Sequence, residues 1–283
     1  MKDIDNLSDN FELACKGKVR DVYNLGSDKL LIYTSDRISA FDFTFEDQIE
    51  GKGAILTKIS KFWFEKTKHI IENHLCVTDI SLSQHLEERC MVVQKTKVVP
   101  IEAIVRGYLA GSAWETYNKT NVLNSRITTK DYKKNDKLDI PIFTPSTKAE
   151  VGDKDINIDI QKMKKIIGGE LTDKIVNISL DLYSFAYEYA KEKGVIIADT
   201  KFEFGLDSDD QLVLIDEIFT PDCSRFWLYD HESQEINHDA FDKQFFRDYL
   251  IENEWKNEQI VIPDKIKKEI ILRYSTAYKL ITA

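Results

Sequence analysis

The chain is poor in the features that mark the simplest functional classes. It has no run of about 18 apolar residues, the length that reads as a membrane span, and its opening MKDIDNLSDN holds no apolar signal core. A soluble, cytoplasmic protein is expected, with no membrane partner. Four cysteines, Cys15, Cys76, Cys90 and Cys223, lie scattered without CxxC or Cys/His spacing, which argues against a structural zinc site and for reduced thiols. The five histidines, at 69, 74, 85, 231 and 238, form no pattern. There is no Walker loop, no HRDxxxxN or DFG segment, no internal repeat and no low-complexity stretch. Positive charge is also short: 39 Lys and Arg against 49 Asp and Glu leave a net charge of −10, which argues against a general nucleic-acid binder, since that needs basic surface. Any anionic ligand must be caught by local clusters of Lys and Arg.

What is present concentrates in three segments. Within residues 195–227, Asp199, Lys201 and Glu203 stand at alternate positions of an apolar run, and a strand would project them on one side with Thr200, Phe202 and Phe204 on the other. A polar turn, Asp207 to Asp210, leads to a second run ending in Asp216-Glu217. The segment reads as a β-hairpin, and a turn centred on Asp209-Asp210 puts Glu203 opposite Asp216. Two carboxylates so placed repel unless a cation lies between them, and oxygen ligation without His or Cys suits Mg²⁺. The alternative is a solvated edge strand with Lys201 neutralising its neighbours. The following TPDCSRFW sets Pro221, Asp222, Ser224 and Arg225 in a turn suited to presenting a guanidinium fork to a phosphate or carboxylate.

The second segment is VVPIEAIVRGYLAGSAWETY, residues 98–117. Pro100 is expected to end the strand KTKVV, because it donates nothing to a ladder. Glu102 and Arg106 follow, Gly107 and Gly111 free the backbone for close approach to a ligand, and Ser112 can donate to an anion or cap a helix. Structural roles for Arg106 and Ser112, in a strand and an ordinary helix cap, are equally open. In the third segment Lys16, Gly17, Lys18 and Arg20 crowd the start of a hairpin formed by Lys18 to Tyr23 and Lys29 to Thr34. They suit a loop over a triphosphate, or a solvated turn. Ser35, Asp36, Arg37, Ser39 and Asp42 form a polar loop beyond it.

Five stretches, GKVRDVY, SDRISAFD, PIEAIVRGYLAGSAWETY, ADTKFEFG and DEIFTPDCSRFW, in this order and spacing over residues 14–250, resemble the SAICAR synthetases, the phosphoribosylaminoimidazole-succinocarboxamide synthase family of purine biosynthesis. The resemblance implies an ATP-dependent ligation: a carboxylate of carboxyaminoimidazole ribonucleotide (CAIR) is activated by the γ-phosphate, and the amine of L-aspartate displaces phosphate. It further implies that Lys16, Gly17, Lys18 and Arg20 cover the ATP phosphates, and that the Val98 to Ala103 strand, with Pro100 and Glu102, holds adenine. Glu203 and Asp216 would hold Mg²⁺, Lys201 would meet the transferring phosphoryl group with Asp199 orienting it, and Lys148 would stand near ATP. Ser39, Arg106, Ser112, Asp222, Ser224 and Arg225 would bind substrate. Many relatives carry His-Asp where this chain has Lys154-Asp155, so residue 154 receives no role. Rival readings are a small-molecule kinase, disfavoured by the missing kinase segments, and a non-catalytic nucleotide-binding protein.

The expected architecture is α+β, with a two-lobed ATP cleft implied by the resemblance: residues 1–103 as a β-rich lobe over ATP and 104–283 as the lobe carrying metal and substrate, in a monomer or small homo-oligomer. Helical periodicity predicts helices near 54–72, 112–118, 172–193 with Gly194 as its stop, 239–253 and 264–281, and a polar loop from about 120 to 157.

Overall fold

A computed structural model describes residues 6–77, 80–123, 126–127, 130–148, 156–239 and 241–283; Lys154 and Asp155 lie outside them. The chain opens with β1 (Leu13–Lys16), β2 (Arg20–Leu25) and β3 (Lys29–Thr34), then the hairpin β4 (Arg37–Ala40) and β5 (Phe43–Gln48). Helices α1 (Lys52–Thr67) and α2 (Gln84–Glu87) follow, and β6 (Cys90–Gln94) completes a four-stranded antiparallel sheet in the order β1-β2-β3-β6. Leu31 of β3 and Val92 of β6, set on one face by the strand alternation, are covered there by Leu7 and by Leu86 of α2.

The larger sheet is built on β7 (Lys97–Tyr108). After α3 (Gly111–Thr120) and the short pair β8 (Val122–Leu123) and β9 (Arg126–Ile127) come β10 (Lys137–Phe143) and β11 (Ser146–Thr147), both antiparallel to β7. Helices α4 (Ile160–Ile167) and α5 (Gly169–Glu192) lead to β12 (Val195–Leu206), β13 (Leu212–Ile215), β14 (Ser224–Tyr229) and β15 (Ile236–Asn237), and α6 (Gln244–Glu252) and α7 (Asp264–Thr282) close the chain. The order is β10-β7-β12-β14-β15, with β13 also on β12. Helix α5 lies on this sheet through Ile175, Leu182, Tyr183, Ala186 and Ala190, spaced at the helical period, and Gly194 at φ 77° stops it as expected. The fold is α+β, as predicted.

Several local expectations are corrected. Pro100 does not end its strand: β7 runs through it, and the register against β12 shifts between Glu203↔Glu102 and Gly205↔Val98, so the proline occupies a bulge where no ladder donor is needed. The 103/104 division falls inside β7, which stays paired to β12 on either side of it. The stretch read as loop contains β10, an outer strand that tolerates Pro141 at the sheet's rim, and α4, capped by Asp159 accepting from Lys162 N, was not anticipated. The first helix is shifted to 52–67 because Gly51, at φ 84°, and the Asp36 carboxylate on Gly53 N set its start. Gly107 serves packing, not a ligand: a Cβ there would fall 2.0 Å from the Tyr183 hydroxyl, which donates to Ile197 O.

Candidate active site

Strand β12 supplies two neighbouring charge clusters. Its alternation is as expected, with Phe202 and Phe204 buried in the main core. The cross-strand partner of Glu203, however, is Ile215 rather than Asp216; the hairpin is one residue out of the predicted register, and Asp216 already turns away at φ 68°. On the other side Glu203 faces Glu102 of β7. Lys201 resolves that juxtaposition, donating at 2.7 Å to each of Glu102 and Glu203, while Lys148 donates to the second Glu203 oxygen and Ser146 to Glu102. Burial by itself would raise the Glu203 carboxyl, but Lys201 and then Lys148 outweigh it and hold Glu203 ionised well below the usual carboxylate range.

Asp216 is the opposite case. Burial first, and the charges of Glu203 and Glu217 after it, push its carboxyl up to about 6 despite Arg20. Arg20 donates to Asp216 at 2.9 Å and to Glu217 at 2.8 Å, and its guanidinium is held charged by both carboxylates against the cost of burial. One cation shared between two carboxylates leaves each short of positive charge, so the two shifts are compatible. Together Arg20, Lys148 and Lys201 bring three positive charges to the four negative ones of Glu102, Glu203, Asp216 and Glu217. An under-compensated cluster of oxygen donors fits a hard divalent cation, although no three His, Cys, Asp or Glu among the described residues converge as a ready-made metal site.

The second cluster is centred on Asp199. Asp199 pairs not with Lys201 but with two arginines, accepting from Arg106 Nη1 at 3.3 Å and Arg225 Nη1 at 2.5 Å. Arg106 also donates to Ser112 Oγ at 3.2 Å and Thr144 Oγ1 at 3.0 Å, and Arg225 to Gln244 at 3.4 Å. The two guanidiniums that share Asp199 border a cavity of about 700 Å³ that Arg106, Ser112, Lys201 and Arg225 line, with Asp242 and Asp248 also in its wall. Arg225 lies across the start of α3, where Gly111, at φ 54°, leaves the space it occupies. Arg247 and Gln244 of α6 also line the cavity and were missed, since on sequence they are ordinary polar positions of a surface helix.

The remaining candidates are placed less openly. Asp222 borders the cavity, but its carboxylate is committed to Lys52 at 2.8 Å, Lys243 at 3.5 Å and the Tyr274 hydroxyl at 2.6 Å, and its side chain is 2% exposed. Ser224 Oγ is buried against Thr200 Oγ1 at 2.8 Å. Ser39 is buried in β4 opposite Thr44 and lies outside the cavity lining. In the glycine loop Gly17 N donates to Arg20 O, Lys16 is exposed, Lys18 pairs with Asp42, and Arg37 pins the loop through Gly17 O and Lys18 O. Arg20 points back to Asp216 rather than outward. At the hinge, Pro100 O accepts from Lys148 N, and Ile101 and Glu102 pair with β11, so part of the outer edge of β7 is already taken.

Known proteins match this arrangement over nearly its whole length. A family model described as SAICAR synthetase matches residues 13–262. The phosphoribosylaminoimidazole-succinocarboxamide synthase of Methylobacillus flagellatus is 44% identical over 282 residues, covering 96% of this chain and 95% of that protein. That of Thioalkalivibrio sulfidiphilus is 46% identical over 274 residues, covering 94% and 92%. Among solved structures, the Saccharomyces cerevisiae SAICAR synthase complexed with SAICAR superposes with a TM-score of 0.86 at 38% identity, covering 98% of this chain and 97% of that one. A SAICAR synthetase in complex with ADP gives 0.72 at 25% identity, covering 96% and 97%. Sequence, fold and the order of the charged segments agree, and the chain belongs to the SAICAR synthetase family.

Proposed function

We propose that this chain joins CAIR and L-aspartate at the expense of ATP, giving SAICAR, ADP and phosphate. Family membership supports the reaction, and the relatives solved with SAICAR and with ADP support its ligand classes. The observation that carries it is the adjacency on β12 of a two-arginine grip at Asp199 and a lysine–carboxylate cluster at Lys201 and Glu203. A doubly anionic substrate and a transferring phosphoryl group can then be held by neighbouring residues of one strand.

A carboxylate is a poor electrophile because its leaving group would be oxide. In the proposed sequence a CAIR carboxylate oxygen attacks the γ-phosphorus and ADP leaves. The aspartate amine then adds to the acyl carbon, and phosphate departs with the C–O bond while the nitrogen loses its proton. Arg106, Ser112 and Arg225 bind the ribonucleotide phosphate, with Arg247 beside them; Asp199 fixes the two guanidiniums, and Asp222 and Ser224 hold the loop rather than the ligand. Lys201 and Lys148 neutralise charge on the phosphoryl oxygens. Glu203 and Asp216 would hold Mg²⁺, whose contribution when bound is to offset charge on the same oxygens. Lys16, Gly17 and Lys18 cover the triphosphate from the four-stranded sheet, and the Val98 to Ala103 strand reads adenine at the junction of the two lobes.

The test is ADP release with mass analysis of the product. Release should require Mg²⁺, CAIR and L-aspartate together and should yield SAICAR. Rapid phosphorylation of a hydroxyl substrate without aspartate would overturn the ligase reading.

A further inference from the structure

The turn between β4 and β5 is built against the preferences of its own residues. Ala40 and Phe43 are cross-strand partners, so Phe41 and Asp42 form a two-residue hairpin loop, and both have positive φ, 51° and 64°. That combination belongs to the type I′ turn, which Asn-Gly fills readily and which an aromatic side chain fills only with strain. The surroundings hold it nonetheless. Asp42 pairs with Lys18, Gln259 clamps β5 through Glu46 N and Thr44 O, and the Trp255 ring contacts Phe43 and Phe45 and stacks on Phe41 at 6.2 Å.

The strained turn leaves the Phe41 ring 47% exposed in the wall of the 700 Å³ cavity, beside the exposed Ile251 of α6. Fewer than half of the residues around that cavity are charged, Arg106, Asp199, Lys201 and Arg225 among them, and Trp114 and Trp227 also line it. An exposed aromatic plate held in a strained turn and backed by a second ring suits an occupant with a flat apolar face beside its charged groups. Taking the ligase reading as given, phosphate and aspartate offer no such face. No residue of the Val98 to Ala103 strand assigned to adenine lines this cavity. The aminoimidazole of the ribonucleotide is the remaining flat group, and an offset ring contact is the geometry such a pair favours.

We propose that Phe41 is a specificity-determining residue for the ribonucleotide, with its ring, supported by Trp255, against the aminoimidazole. Three variants test it: Phe41→Asn, which suits the turn and removes the ring; Phe41→Leu, which keeps apolar bulk without a flat face; and Phe41→Tyr, which keeps the plate. Thermal unfolding checks that each is folded, and calorimetry with CAIR alone measures binding independently of turnover. Phe41→Asn and Phe41→Leu should weaken CAIR about tenfold or more, Phe41→Tyr less than threefold, and KM for ATP and for aspartate should stay within about twofold in all three. Unchanged CAIR affinity in the folded Asn and Leu variants, or an equal rise in KM for ATP, overturns the proposal. A wild-type protein that makes no SAICAR counts against the ligase reading, whereas CAIR calorimetry still decides the role of Phe41.

Discussion

Gly111 and Arg225 exclude each other's growth: a Cβ built on Gly111 would stand 2.7 Å from Arg225 Nη2. The glycine also adopts φ 54°, a left-handed conformation that side chains resist. Gly111→Ala should therefore push the guanidinium off its position and cost on the order of 1 kcal/mol in backbone strain. Steady-state kinetics should show KM for CAIR rising about tenfold with KM for ATP unchanged. A loss of thermal stability alone, with normal kinetics, would separate Arg225 from ribonucleotide binding.

Arg225 itself uses two nitrogens at once, Nη1 on Asp199 and Nη2 toward Gln244. Arg225→Lys keeps the charge but cannot span both partners and the ligand, so CAIR should bind about 10- to 100-fold more weakly, the scale of one lost charge-assisted bond, while ATP is unaffected. Calorimetry with each ligand separately decides this. Equal loss for both, or for neither, removes Arg225 from the grip.

The two proposed metal carboxylates should behave alike in activity and oppositely in stability. Either amide, Glu203→Gln or Asp216→Asn, removes a charge facing the transferred phosphoryl group, and turnover should fall on the order of a hundredfold or more. Glu203 is held ionised by Lys201 and Lys148, so its replacement should destabilise the protein. Asp216 is raised from 3.8 to about 6, so the native state binds that proton more tightly than the unfolded chain, and stability is lost as pH rises through this window. Asp216→Asn should accordingly be the more stable protein at pH 7, by on the order of 1 kcal/mol, with the gap closing toward pH 3.5. Urea unfolding at both pH values checks the sign, and near-normal turnover with an unchanged Mg²⁺ requirement would falsify the metal assignment.

Lys52 is fully buried and donates to Asp222, on the turn that leads into β14 and Arg225. Lys52→Met leaves that carboxylate buried with weaker support and should cost about 3–5 kcal/mol at neutral pH. Burial would raise Asp222, but Lys243 and Lys52 together hold it far below the ordinary value of 3.8. The stability it contributes is present above that value and drains away as pH falls below it. Wild type and variant should converge in strong acid; a gap that persists there would mean that lost packing, not charge, is responsible.

The sequence declares the β12 hairpin because its charged and aromatic positions alternate, and it declares Arg106, Ser112 and Arg225 because glycines and a proline turn bracket them. It does not declare the Lys52–Asp222–Tyr274 anchor. Those partners lie 170 and 52 residues from Asp222, and a contact between distant residues leaves no periodic trace. The one-residue register error at Glu203 has a similar source, since a turn five residues long can be centred in more than one way until its partner strand fixes it. Pro100 misled for the opposite reason: its local rule is sound, but a bulge suspends it.

Arg20 meets Asp216 across 196 residues of chain. At synthesis rates of roughly 5–20 residues per second, on the order of 10–40 s separate the emergence of the arginine from that of its carboxylate. The strands of the four-stranded sheet are all made early and pair in the order β1-β2-β3-β6, whereas β7 must wait for β12. A nascent chain interrupted before Arg225 thus possesses every strand of its small sheet and an incomplete anion grip. A ribonucleotide that needs both guanidiniums finds only Arg106 until Arg225, four-fifths of the way along the chain, has left the ribosome.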